Sequence, residues 1–116
     1  MILSIGTDIV EIDRIRKALS DPFLRKVLSQ EEIKMTETMS EERKVQFTAG
    51  RFAAKEAIIK CLSDYEYPEM KDLNIINDEK GKPMIRYKDY DLLVSISHEK
   101  KYATGMAILQ DKGDKE

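Results

Sequence analysis

A chain of 116 residues fits one compact domain, and 41% apolar against 36% charged residues describes a small core under a heavily solvated surface. Its 20 basic and 22 acidic residues leave a formal net charge of −2, which excludes a global attraction to nucleic acid or to anionic lipid. No apolar run approaches the ~20 residues that cross a bilayer.

Residues 2 to 9 alternate, with Leu3, Ile5 and Ile9 on one side and Ser4, Gly6 and Asp8 on the other, which predicts a strand. The same polar and small interruptions, with no basic residues ahead of them, argue against a signal peptide and for a cytoplasmic protein. Ile12, Ile15 and Leu19 then predict a helix over Glu11–Leu19. Asp21-Pro22 punctuates it, because the residue before a proline avoids helical geometry, and a short turn is expected from Phe23 to Leu28. Ser29-Gln30-Glu31-Glu32 has capping-box spacing and opens the next helix. Ser40 caps the longest one, about Glu41 to Leu62.

Cys61, the sole cysteine, sits at the end of that helix and reads as a core thiol; no intrachain disulfide is possible, which fits a reducing compartment. Tyr65-Glu66-Tyr67-Pro68 ends the helical half. Strands are expected at Leu73–Ile76, Met84–Tyr87, Leu92–Ser97 and Tyr102–Leu109. Between the first two, residues 77–83 form a turn with Gly81 free to take positive φ and Pro83 starting the strand. The expectation is a single α+β domain over 1–110, helical in its N-terminal half and closed by an antiparallel sheet, with a charged, disordered tail at 111–116.

Four places carry chemical interest. Asp8 ends a strand face of small residues, open to a ligand or metal; it also suits the cap of the following helix, and position alone does not decide. Glu56 shares a helical stripe with Ala49, Ala53 and Lys60. That stripe is either an ordinary acid–base pair four residues apart or a small-residue face packing on another element, which could be the Asp8 strand. Two such carboxylates are too few for a Ca²⁺ cage and suit Mg²⁺, which keeps waters and takes substrate phosphates. One His and one Cys make zinc a poor fit. Ser95-Ile96-Ser97-His98 places the only histidine at a strand end before Lys100 and Lys101; it is either a plain hairpin turn or, with Lys82, Arg51 and Lys60, a set of donors for phosphate oxygens. The basic run Arg14, Arg16, Lys17, Arg25 and Lys26 is either a solvated face or a docking surface. No P-loop, dinucleotide fingerprint, nucleophile elbow or aromatic interleaving for single-stranded nucleic acid is present.

In this order and spacing, Ile5-Gly6-Thr7-Asp8-Ile9-Val10-Glu11-Ile12 with Arg14, then Ala49-Gly50-Arg51-Phe52-Ala53-Ala54-Lys55-Glu56-Ala57 with Lys60, then Gly81-Lys82-Pro83, then Val94-Ser95-Ile96-Ser97-His98 resemble the holo-acyl-carrier-protein synthase family of 4′-phosphopantetheinyl transferases. The resemblance implies that family's fold and its reaction: transfer of the phosphopantetheine arm of coenzyme A to a serine of apo-acyl carrier protein, releasing 3′,5′-ADP, in support of fatty acid biosynthesis. It implies Asp8 and Glu56 as Mg²⁺ ligands, and Asp8, Glu56 and Lys60 as catalytic. Arg51, Lys60, Gly81, Lys82, Pro83, Ser97 and His98 would contact coenzyme A. Arg14 and Arg25 would dock an acidic carrier helix. It also implies a homotrimer with active sites between subunits, and neither nucleic acid nor membrane as a partner. The proton acceptor stays open between Glu56 and a metal-bound water.

The chain departs from the family pattern at three points. Thr7 stands where an apolar residue is usual. Cys61–Pro68 replaces a glycine-rich stretch. The segment from Pro83 to Val94 is short. On residues alone, a Mg²⁺-dependent phosphohydrolase and a non-catalytic trimeric binding module for coenzyme A remain as rivals.

Overall fold

A computed structural model of the chain describes residues 1–112, and Gly113–Glu116, the end of the expected tail, lie outside the described residues. Strand β1 (Ile2–Glu11) is followed by helices α1 (Ile12–Ala18), α2 (Asp21–Val27), α3 (Gln30–Thr36) and α4 (Glu41–Leu62). A 3₁₀ turn (Met70–Asp72) leads into β2 (Ile75–Asn77), β3 (Pro83–Ile85), β4 (Asp91–His98) and β5 (Tyr102–Gln110). Strands β1, β5 and β4 form an antiparallel sheet in that order, and β2 pairs with β3 as a separate hairpin. This is the expected α+β architecture. Among the described residues no helix is long and apolar enough to cross a membrane.

Four local readings change, one being that the strand expected at Met84–Tyr87 runs Pro83–Ile85 while Tyr87 instead bridges Tyr90. The turn expected at Phe23–Leu28 is helix α2: Ser20 Oγ accepts from the Phe23 N–H at 3.2 Å, and Pro22 sits in the first turn, where its missing N–H costs nothing. Asp8 does not cap α1, whose cap position is Glu11, with no side-chain bond. The strand expected at 73–76 starts only at Ile75, because Leu73 closes the 3₁₀ turn and Asn74 turns its side chain to Ser29 and Glu31.

The faces of β1 are also assigned opposite to ordinary amphipathic logic. Its small residues pack inward: a Cβ on Gly6 would stand 2.1 Å from the Ala57 carbonyl oxygen, and one on Gly105 would stand 2.4 Å from the Ala54 nitrogen. Helix α4 therefore lies directly on the strand backbones, with Ala49, Ala53, Ala54 and Ala57 fully buried at the seam. Around it, Ile58, Leu62, Leu73, Ile75, Val94 and Leu109 form one core cluster, and Val10, Ile12, Ile15 and Val45 a second. The apolar face faces out, leaving Ile5 at 59% and Ile9 at 62% exposure, with Leu3, Leu93 and Met106 exposed beside them.

Candidate functional site

The small-residue seam positions the first site residues. Asp8 lies on the inward face of β1, in register with Gly105 and, across β5, with Ile96. Lys60, from the last turn of α4, donates to the Thr7 carbonyl at 2.7 Å and stands 3.4 Å from Asp8 Oδ1. Glu56 sits half-buried one turn earlier on α4, next to the Ala57 that abuts Gly6. Of the Ala49–Ala53–Glu56–Lys60 stripe, Lys60 packs on Gly6 of the Asp8 strand beside Ala57, and Ala53 packs on Gly105 of β5.

Among the described residues no group of three or more His, Cys, Asp or Glu side chains forms a metal cage. Hard carboxylates presented by two facing elements fit an ion that retains waters and completes its shell from a phosphate ligand, as Mg²⁺ does. Lys60 keeps the Asp8 charge partnered, and with its side chain 56% exposed it retains an N–H for an incoming anion.

Asp8, Lys60, Ser95, Ser97, Thr104 and Met106 are among the residues lining a cleft of about 510 Å³. Lys82, Pro83, Asp78 and Ile96 line a second, of about 450 Å³, and Ser95 belongs to both walls. The two clefts adjoin. The turn above the second is shaped by a residue that sequence reading passed over: Asp78 Oδ1 accepts from the Lys80 and Lys82 N–H groups at 2.8 and 2.9 Å, while Gly81 takes φ +85°. An Asp opening a turn is a legible signal for such a bond. His98 ends β4, exposed, in register with Ala103 on the face that carries Asp8.

Arg51 is placed differently from a surface phosphate ligand. It is 6% exposed, with a terminal nitrogen donating to the Ile75 carbonyl at 3.1 Å and to Asn77 Oδ1 at 3.4 Å. Its guanidinium lies 4.4 Å from the Phe47 ring, and Nε stands 3.5 Å from Glu32 Oε2, an ion pair without a hydrogen bond. Burial pulls its pKa below the ordinary arginine value, with Glu32 countering. Arg51 therefore grips the base of the β2–β3 hairpin that carries Gly81-Lys82-Pro83.

Glu32, legible only as the end of a capping box, is a fully buried hub: Oε1 accepts from the Ser29 N–H at 2.8 Å and Lys55 Nζ at 2.5 Å, and Oε2 from the Ile75 N–H at 3.0 Å. Lys55 also donates to the Val27 carbonyl at 2.7 Å; burial pulls its pKa down and Glu32 raises it in part. Nothing in the local pattern separates this buried lysine from a surface one.

On the opposite side of α4, Phe23, Phe52, Ile59 and Met70 floor a groove of about 880 Å³ rimmed by Arg25, Lys26, Lys71 and Glu69, the last two an ion pair 3.6 Å apart that leaves the rim net basic. Arg14 is exposed on α1, whereas Arg16 is taken up by Asp13 and by both oxygens of Glu42, at 2.6 and 2.8 Å. The whole basic run is solvent-exposed, Lys17, Arg25 and Lys26 as well as Arg14 and the ion-paired Arg16.

A family model described as the 4′-phosphopantetheinyl transferase superfamily matches residues 4–109. This chain belongs to that superfamily. Within it, the holo-[acyl-carrier-protein] synthase of Staphylococcus haemolyticus is 42% identical over 97% of this chain and 99% of its own. That of Mycoplasma capricolum is 46% identical over 95% and 96%. The crystal structure of the Bacillus anthracis synthase in complex with CoA (3′,5′-ADP) superposes with a TM-score of 0.85 at 35% identity, covering 94% of this chain and 96% of that one. The Plasmodium yoelii synthase superposes at 0.82 and 32% identity, covering 94% of each.

Proposed function

We propose that this chain is a holo-acyl-carrier-protein synthase that moves the phosphopantetheine arm of coenzyme A to a carrier serine. The observation that carries the reading is the pair of adjoining clefts: one holds a carboxylate–lysine pair, the other lies under a backbone turn, and together they suit an elongated nucleotide with a pyrophosphate. In the reaction the serine oxygen bonds to the β-phosphorus of coenzyme A. The bond from that phosphorus to the bridging oxygen breaks, 3′,5′-ADP leaves, and the serine proton goes to a base. Positioning and charge stabilisation dominate such transfers.

Asp8 and Glu56 would hold Mg²⁺, which when bound would neutralise charge on the pyrophosphate oxygens. Lys60 directs its remaining N–H at a phosphate oxygen, and Glu56 is the protein's own candidate for the serine proton. Lys82, with Gly81 and Pro83, frames the nucleotide end, Ser97 lines the Asp8 cleft, and His98 borders it as a further phosphate donor. Arg51 acts through the hairpin it holds.

The basic-rimmed apolar groove between α2 and the 3₁₀ turn suits an acidic amphipathic helix, so Arg25, and Arg14 on the neighbouring helix, would face the carrier. The exposed apolar sheet face, Ile5, Ile9, Leu93 and Met106, is the surface through which three copies would associate and enclose the shallow clefts. The buried free thiol fits a cytoplasmic setting.

The test is the intact mass of a purified apo-carrier after incubation with the chain, coenzyme A and Mg²⁺. A gain of one phosphopantetheine arm, abolished by EDTA and by Glu56→Gln, is the expected result. Coenzyme A consumed without a carrier would point to a phosphohydrolase, and tight binding with no transfer to several carriers would leave a binding module.

A further inference from the structure

Two segments separated in sequence, Cys61–Pro68 and the stretch from Pro83 to Val94, meet at one carboxylate. Glu66 Oε1 accepts from the Tyr87 hydroxyl and from Lys88 Nζ, both at 2.9 Å, and Oε2 from the Tyr90 hydroxyl at 2.8 Å. Behind these donors the Tyr87 and Tyr90 rings stack with centroids 6.1 Å apart, and Tyr65 leans on Tyr90 at 6.0 Å. Both Tyr87 and Tyr90 pack on the main core cluster, so the donors are themselves held. Lys88 adopts φ +53°, a left-handed conformation lysine rarely takes, within a turn closed by the Tyr90 N–H to the Tyr87 carbonyl. On the other side, the Tyr65 and Glu66 N–H groups both bond the Leu62 carbonyl, so the Glu66 backbone hangs from the end of α4.

Two residues further on, Pro68 begins the wall of the basic-rimmed groove, which continues through Met70 and Lys71 opposite Phe23 and Arg25. We propose that Glu66 is a positioning residue for carrier recognition: its grip on Tyr87, Lys88 and Tyr90 sets where the Pro68–Lys71 wall stands against α2. The proposal rests on the reading of that groove as the carrier face. Glu66 lines neither of the two clefts assigned to coenzyme A, so its effect belongs to the carrier alone. Loosening the carboxylate lets the wall drift, which weakens carrier docking while the Asp8–Lys60 cleft, set by the α4–β1 seam, keeps its geometry.

Steady-state transfer by the full chain, varying carrier and coenzyme A in turn, tests this with Glu66→Ala and with the pair Tyr87→Phe, Tyr90→Phe. The expected result is a KM for carrier raised by about 3- to 10-fold, with KM for coenzyme A and kcat at saturating carrier within about twofold of the parent. Glu66→Gln, which keeps one acceptor oxygen, should recover part of the loss. Equal rises in both KM values, or a fall in kcat alone, would overturn the proposal, because general loosening of the fold acts that way. Arg25→Glu separates this from the groove reading. No change in carrier KM in that variant defeats the groove reading itself, whereas a rise there with none in the Glu66 and tyrosine variants defeats the latch alone.

Discussion

Glu32 and Glu66 each gather several donors, yet one does so in a dry interior and the other at the surface. Glu32 is wholly buried among Ser29, Lys55, Ile75 and Arg51; together with Lys55, which also donates to the Val27 carbonyl, it ties α2, α3, α4 and the β2–β3 hairpin together. Glu66, with its side chain 25% exposed, ties only a loop to a turn. In the interior an ionised group is tolerable only when fully partnered, so removing one member strands another. Near water the loss is absorbed by hydration. The same chemical arrangement is therefore structural in the first region and adjustable in the second.

The hardest test of that contrast is Glu32→Ala, which leaves the Lys55 ammonium buried without its counter-charge. It should cost about 3–5 kcal/mol, read from the urea midpoint at an unchanged m-value. A loss below about 1 kcal/mol would mean that Lys55 escapes to water, and the dry region would not be dry. Next comes the packing of α4 on the sheet. Gly105→Ala pushes a methyl into the Ala54 backbone and should cost about 1–3 kcal/mol, with transfer activity falling as α4 lifts from β5 next to Asp8.

The smallest effect is the pH dependence of the Glu66 latch. Hydrogen bonds from Lys88, then Tyr90, hold the Glu66 carboxyl below its ordinary range. Its contribution is complete above the ordinary carboxylate value and is lost as pH falls through the lowered one. Lys88, raised by its bond to Glu66, adds stability that is lost only as pH climbs past the ordinary lysine range. The gap in Tm between the parent and Glu66→Gln should accordingly be widest near neutrality and close on acidification. A gap that is flat with pH would show that the carboxylate's charge contributes nothing.

Periodicity and punctuation made most elements legible, because α3, α4, β4 and β5 each carry their own caps or alternation. Helix α2 escaped because Pro22 stops a helix in one register and starts one in another; only the Ser20 cap distinguishes them. The faces of β1 were harder. Alternation marks two sides without saying which is covered, and here the glycine side receives the helix while isoleucines meet solvent. Asp8, Glu56 and Lys60 could be singled out from residue type and spacing, but the Asp8–Lys60 contact spans 52 positions and depends on how α4 crosses β1. Glu32 and Lys55 were illegible as a pair for the same reason: burial is a property of the assembled fold.

The seam between α4 and β1 has one more consequence. Where two elements are separated by interlocking side chains, each rotamer change alters their distance. Gly6 and Gly105 remove that layer, so the gap between the Asp8 strand and the Glu56–Lys60 helix is a hard stop of backbone on backbone. It works as a gauge block: drift elsewhere in the core can tilt the helix or slide its far end, but cannot bring the two carboxylate-bearing elements closer.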